Sequence, residues 1–388
     1  MRTLEVQGGA SSSGLVNIAT IILVATLIFK LPRYNIHNNY SFRLVSALLF
    51  FSLPSLILND LSKMVEVLIK VLTILSVAYL AYLAFFKSSK SIEKMIDLMF
   101  LLGILSGVAY TITSGANFDA NRAVGERFSF LIFEYPHSAG MFYSSLVPAY
   151  IHLTKSKTKL DRLFRYSVIG VVMPLVIYYS GARVAIICYI FSISAYYLLS
   201  SGFKAKLVYL VIASILAVYI NNVNNDAVST VAEIDKNSIQ NYIDDDRSYS
   251  ENSIHTRVKV WYVMWDQTVN GKVLYGNGYK SWSEKYMSYH KLASSQSDYF
   301  TYFFELGIFG LLWLVMYKVH LLFLNYKDIV RSSLLGCLTV GICVTSIFGG
   351  MTENFEGYAS TSWLIPMLIG ATWAKIKKEK ESNERSVY

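Results

Sequence analysis

The residues best suited to chemistry are arginines: Arg183, closing the tetrad Ser180-Gly181-Ala182-Arg183, and Arg257, with Arg122 and Arg127 upstream. A guanidinium is planar, permanently charged and weakly hydrated, and its fork of donors matches two phosphate oxygens at once. The chemistry in view is therefore binding of a phosphate-bearing group and neutralisation of charge as that group departs. Helix capping or contact with lipid headgroups is the simpler reading of Arg122 and Arg127. Arg257, Trp261 and Trp265 are spaced by four, which puts a cation and two indoles on one helical face. Such a face can stack sugars, or it can rest on a bilayer as an interfacial helix.

Acid and base candidates lie within apolar surroundings. Glu134-Tyr135-Pro136-His137 has a proline that kinks a helix and two ionisable groups three apart, so it either lines a polar cavity or forms a self-satisfied packing pair. Glu305, in Glu305-Leu306-Gly307-Ile308-Phe309-Gly310, needs a cation or a proton at membrane depth, and it could orient an arginine. His290 and Tyr299, the latter in Gln296-Ser297-Asp298-Tyr299, complete the set as substrate contacts. Glu66 and Lys70 are expected to pair with each other. The three cysteines, Cys188, Cys337 and Cys343, sit in apolar segments without ligand spacing, so neither a disulfide nor a metal site is expected. No cofactor is expected either.

The elements that position these residues are membrane helices. Hydrophobic residues make up 54% of the 388 and charged residues 16%, and the apolar ones fall in runs too long for a soluble domain. Runs near 15 to 29, 44 to 58, 65 to 86, 95 to 113, 128 to 152, 164 to 180, 184 to 200, 207 to 220, 299 to 317, 332 to 348 and 361 to 374 predict an all-α polytopic fold of about eleven transmembrane helices. Alternate connections are basic: Lys30 to Arg43, Lys87 to Lys94, Lys155 to Arg165, Lys204 with Lys206, Lys318 with Lys327 and Arg331, and the tail from Lys375. The positive-inside rule makes these cytoplasmic and explains the net charge of +9 without nucleic acid. The expected organisation is a membrane bundle over 1–220, one large extracytoplasmic loop over 221–297 with short helices, a second bundle segment over 298–374, and a cytoplasmic tail over 375–388. The N-terminus is then outside, and Arg122, Arg127, Arg183 and Arg257 all break the pattern by lying there too. No internal repeat is visible, which argues against transporters built from duplicated halves.

In order and spacing, these pieces resemble the O-antigen polymerase and ligase superfamily. The matching features are Arg122 and Gly125 followed by Phe133, Pro136 and His137; Ser-Gly-Ala-Arg at 180 to 183; Arg257 and Trp261 leading to Gly276 and Gly278; and Glu305-Leu306-Gly307 with Gly310. The resemblance implies a multi-pass glycosyltransferase of the bacterial inner membrane, similar to GT-C type enzymes. It would join polyprenyl-pyrophosphate-linked oligosaccharide repeat units into O-antigen or capsular polysaccharide. It implies Arg183 and Arg257 at the departing pyrophosphate, with a carboxylate or His137 accepting the hydroxyl proton. It also implies membrane lipid, a flippase and a chain-length regulator as partners. One departure stands out: ligases of the superfamily carry a His-Asn pair about nine residues before the glutamate, where this chain has Gln296-Ser297. That favours a polymerase over a ligase. A lipid-linked oligosaccharide transporter or flippase, and a non-catalytic scaffold, are the rival classes.

Overall fold

The computed structural model describes residues 40–113, 136–155, 157–179, 183–200, 254–287, 296–353, 355–356 and 361–386. Among them every regular element is helical: α1 Tyr40–Asn59, α2 Met64–Lys87, α3 Ser89–Thr113, α4 Pro136–Thr154, α5 Lys159–Ser167, α6 Met173–Tyr179, α7 Arg183–Ser200, α8 Ile254–Val269, α9 Asp298–Leu324, α10 Tyr326–Val330, α11 Leu334–Thr352 and α12 Leu364–Ser386. Helices are what an apolar chain must form in lipid, because hydrocarbon offers no partner to a backbone amide or carbonyl. Among the described residues, Tyr40–Asn59, Leu61–Lys87, Asp298–Leu324 and Leu334–Thr352 are long and apolar enough to cross a membrane, and Val184–Leu199 is a shorter apolar helix. The chain is thus a helical membrane protein. The runs at 15 to 29 and 207 to 220 lie outside the described residues.

Association of helices in lipid rests on close packing and hydrogen bonds between them. α12 runs beside α2, where a Cβ on Gly370 would come within 2.0 Å of the Ala78 carbonyl oxygen, so only glycine lets the backbones meet. α4, α7 and α11 form a second group, tied by Ser144 Oγ to the Ala185 carbonyl at 3.0 Å and by Ser192 to Thr345 at 3.0 Å. α1 packs on α9, and the Trp313 indole N–H donates to the Leu44 carbonyl at 2.8 Å. The basic connections from Lys87 to Lys94 and from Lys155 to Arg165, with Lys327 and Arg331, gather at one end of the bundle. The segment 254–287 lies at the other, beside Asn59 and the start of α2.

Two predicted spans differ in form. The run at 164 to 180 starts earlier: Thr158 caps α5, and the helix continues through a π-helical stretch, Val168–Val172, into α6. The wider turn leaves a carbonyl to satisfy, and Tyr189 OH donates to that of Ile169 at 2.7 Å. Arg162 and Arg165 are therefore helical, and Arg165 grips both oxygens of Asp97 at 2.6 and 2.9 Å.

The larger difference is in α9. Gly307 has φ 68° and ψ −160°, far from helical, and the chain folds back on itself there. Residues on either side pair symmetrically: Tyr302 stacks on Trp313 with centroids 5.8 Å apart, and Lys318 reaches Asp298 at 2.6 Å. The first arm, 298–306, is about 12 Å long and runs antiparallel to the second, 308–324, of about 25 Å. The length that qualifies Asp298–Leu324 by composition is thus divided, and only the second arm approaches the ~30 Å of hydrocarbon. Lys318, expected in a cytoplasmic connection, is instead fully buried within the second arm, because the apolar run continues past it to Leu324.

Candidate functional site

The fold of α9 is held by the segment that follows α8. Asn277 N–H donates to the Phe304 carbonyl at 2.7 Å, Gly278 N–H to that of Glu305 at 3.0 Å, and Ile308 N–H to that of Val273 at 2.7 Å. These are the groups that a helix end leaves without intrahelical partners. Ser55 Oγ from α1 also donates to the Glu305 carbonyl, at 2.8 Å. Contact is so close that a Cβ on Gly276 would lie 2.5 Å from the Glu305 carbonyl carbon, and one on Gly307 2.5 Å from that of Leu274. Both glycines have positive φ, so side-chain volume and backbone conformation each demand glycine. The Glu305 carboxylate faces the backbone amides of Lys280 and Trp282. Glu305 is thus engaged by this segment, and the acid that orients an arginine is a different one.

That acid is Glu353, at the end of α11. Arg257, on α8, donates to the Thr352 carbonyl at 3.0 Å and to Glu353 Oε1 at 3.1 Å. The Glu353 side chain is 1% exposed and that of Arg257 is 21%, so the carboxylate anchors the guanidinium from below while the guanidinium keeps an open edge. Two of its five N–H donors are used in this way. Along the same helical face, Trp261 stacks on Phe300 with centroids 5.1 Å apart, and Trp265 lies 5.4 Å from Phe303. The predicted stripe therefore packs on the first arm of α9, and Trp265, 52% exposed, retains an outward surface.

Beneath Arg257 is a nest of charges around the start of α9. Ser297 caps the helix, accepting from Phe300 N–H, and donates to the Gly350 carbonyl at 3.3 Å. Asp298 accepts from Lys318 and from the backbone N–H of Glu356 at 3.1 Å, while Lys318 also donates to the Ser346 carbonyl at 2.7 Å. Glycine at 350 leaves room for the pair, since a Cβ there would meet both Lys318 Nζ and the Asp298 carboxylate. Tyr299 donates to the Ile347 carbonyl at 3.2 Å and lies under the Lys318 ammonium. Lys70 donates to Tyr302 OH at 2.5 Å, whereas Glu66 pairs with Lys63 and Lys280. The expected Glu66–Lys70 pair is absent because the folded arm and the segment after α8 supply nearer partners to each. Glu356 follows α11; burial pushes its carboxyl up to about 7, against the pull of Lys318 and Lys70, and its Oε1 is buried without a hydrogen-bond partner.

Residues 168–315 match the O-antigen ligase family. The match supports the O-antigen polymerase and ligase superfamily for this stretch and indicates membrane glycosyltransferase chemistry of the polymerase or ligase type, in lipopolysaccharide O-antigen synthesis. No curated protein matches the chain. The matched stretch runs from the π-helical turn into the second arm of α9, so it contains Arg183, Arg257 and Glu305 but stops short of Lys318, Glu353 and Glu356. Arg183 opens α7 and His137 is the second residue of α4, both at the end of the bundle that carries the 254–287 segment. Arg122, Arg127, Glu134 and His290 lie outside the described residues. Among the described residues, no cluster of His, Cys, Asp or Glu has metal-binding form.

Sequence reasoning brought Arg257, Trp261 and Tyr299 to this site but missed Lys70, Lys318, Glu353 and Glu356 as members. A signal existed for Lys318, which has apolar sequence on both sides. None existed for Glu353, whose partner is 96 residues away.

Proposed function

We propose that this protein polymerises polyprenyl-pyrophosphate-linked oligosaccharide repeat units into O-antigen or capsular polysaccharide at the outer face of the bacterial inner membrane. The observation that carries this reading is Arg257, a guanidinium fixed by Glu353 with an open edge, above a buried nest of charges and beside an aromatic face. A lipid pyrophosphate suits such a site because arginine donors can neutralise it as it leaves, and bidentate contacts strengthen as charge develops. Arg183 and Arg257 are the residues proposed to do so, with Arg122 and Arg127 as further contacts and Trp261, Trp265, His290 and Tyr299 as glycan contacts. The whole chain is proposed to cross about eleven times in a GT-C-like bundle, with the 221–297 loop outside and the C-terminus in the cytoplasm. A flippase would supply the repeat units, and a chain-length regulator would set the product.

Ligation is the second reading, favoured by the description of the matched family. Against it stands Gln296-Ser297 where ligases carry His-Asn; here Ser297 caps α9 instead. The chain is introduced into a strain lacking its polysaccharide polymerase and into one lacking its O-antigen ligase. A ladder of glycan lengths in the first, and no transfer to lipid A core in the second, is the expected result. Gln296→His should leave the ladder in place. Transfer to lipid A core by the wild type would favour ligation, and rescue of neither strain would reopen the flippase reading.

A further inference from the structure

We propose that Glu356 is the general base of this site, the carboxylate that takes the proton from the acceptor sugar's hydroxyl. The inference rests on the glycosyl-transfer reading above and assigns a role that no motif of the matched stretch supplies, since Glu356 lies 41 residues beyond its end.

The argument is one of availability. Three other carboxylates lie nearby, and each is committed: Glu353 to Arg257, Asp298 to Lys318 and to the Glu356 amide, and Glu305 to the amides of Lys280 and Trp282. Glu356 alone among the described carboxylates has a buried oxygen with no hydrogen-bond partner, although the residue as a whole is only partly buried. A buried carboxylate without a donor carries a desolvation penalty that a fold can lower by pairing it. Its backbone is held all the same: its own amide is tied to Asp298, and the Phe355 carbonyl accepts from Thr361 at 2.6 Å. The oxygen is thus fixed but unsatisfied, the state expected of a group whose partner is substrate. It stands three residues after Glu353, the acid that anchors Arg257 from α8, so the base and the anchor of the leaving-group cation share one short segment.

The step balances. The acceptor oxygen forms a bond to the anomeric carbon of the donor, and the bond from that carbon to the phosphate oxygen breaks. The electron pair leaves on the pyrophosphate beside Arg257, and the hydroxyl proton passes to Glu356. The charged and titratable groups facing Glu356 are Lys70 from α2 and Asp298, Tyr299, Tyr302, Tyr317 and Lys318 from α9. Burial holds the carboxyl near 7, which suits a base working at neutral pH.

The test uses full-length protein in proteoliposomes with a synthetic polyprenyl-pyrophosphate repeat unit, following chain extension from pH 5.5 to 9. Wild-type rate should rise with pH through about 7 and then level, because the base works only when deprotonated. Glu356→Gln should lower kcat by about 100-fold or more, with a residual rate that no longer rises through that range and with donor KM little changed. Glu356→Asp keeps the charge with a shorter reach; it should retain part of the rate and shift the rising limb, and it replaces the Gln variant should that one fail to accumulate. Wild-type rate and pH profile in either variant would overturn the proposal while leaving polymerisation intact. No extension by the wild type would instead overturn the functional reading, and this proposal with it.

Discussion

Lys318 has no exposed surface and donates to Asp298 at 2.6 Å and to the Ser346 carbonyl at 2.7 Å. Removing one member of a buried pair leaves the other charged without a counterion, at a cost of about 3–5 kcal/mol, whereas replacing both by neutral residues of similar size is far milder. Lys318→Met should therefore fall sharply in thermal stability in detergent, and Lys318→Met with Asp298→Asn should recover most of the loss. Equal melting of the single variant and the wild type would show the pair to be energetically idle. Arg257 is a different kind of cation, half-buried and only partly used. Arg257→Ala should slow polymerisation by about 100-fold or more, as removal of an oxyanion-site donor does. Lys should restore charge without the fork and recover only part. Arg183→Ala should behave like Arg257→Ala, read as glycan chain length at matched membrane abundance; full-length polymer from both Ala variants would make these arginines structural. Arg257 was legible in the sequence because it breaks a charge pattern. Lys318 was misread because the same pattern places any cation near a span end in a connection, and Glu353 was silent because its pairing exists only in three dimensions.

Among the elements, Gly307 and Gly276 decide the geometry of the site. Ala at either position meets a neighbouring carbonyl carbon at 2.5 Å and must also adopt positive φ, so Gly307→Ala and Gly276→Ala should each lower stability and polymer yield together. Gly170, in the π-helical turn, has nothing within 4 Å of its Cβ position, and Gly170→Ala should be tolerated. Loss of function at 170 with retention at 307 would mean that the reversal of α9 does not position the nest. Existence and rough extent of α1, α2, α7 and α11 were legible, because lipid imposes long apolar runs directly. The reversal of α9 was not: a helix, a glycine and a second helix read as one hydrophobic stretch. The information that folds it lies in residues 273–278, whose amides and carbonyls complete the break.

For the whole molecule, the alternation of basic connections predicts which compartment the 254–287 segment faces. Gln240→Cys should react with an impermeant thiol reagent in intact spheroplasts, against a low background because Cys188, Cys337 and Cys343 are all buried. Labelling only after lysis would invert the topology, and with it the site's access to lipid-linked glycan. The gathering of basic connections at one end was readable without structure, as was the all-helical class. Which helices touch was not, because a membrane helix is apolar all round and its sequence names no partner. The pairing of α2 with α12 is the clearest case, since Ala78 waits for Gly370 and the Phe85 carbonyl for Lys378. That pairing has a meaning in time. On the ribosome α2 is made almost 300 residues before the helix that covers it, so α2 must sit in the membrane with that flank uncovered until α12 follows. That contact therefore closes only when α12 is made, and a stop after residue 363, which spares Arg257, Glu353 and Glu356, should nonetheless yield a chain that membrane proteases clear, seen as a short half-life in a pulse-chase.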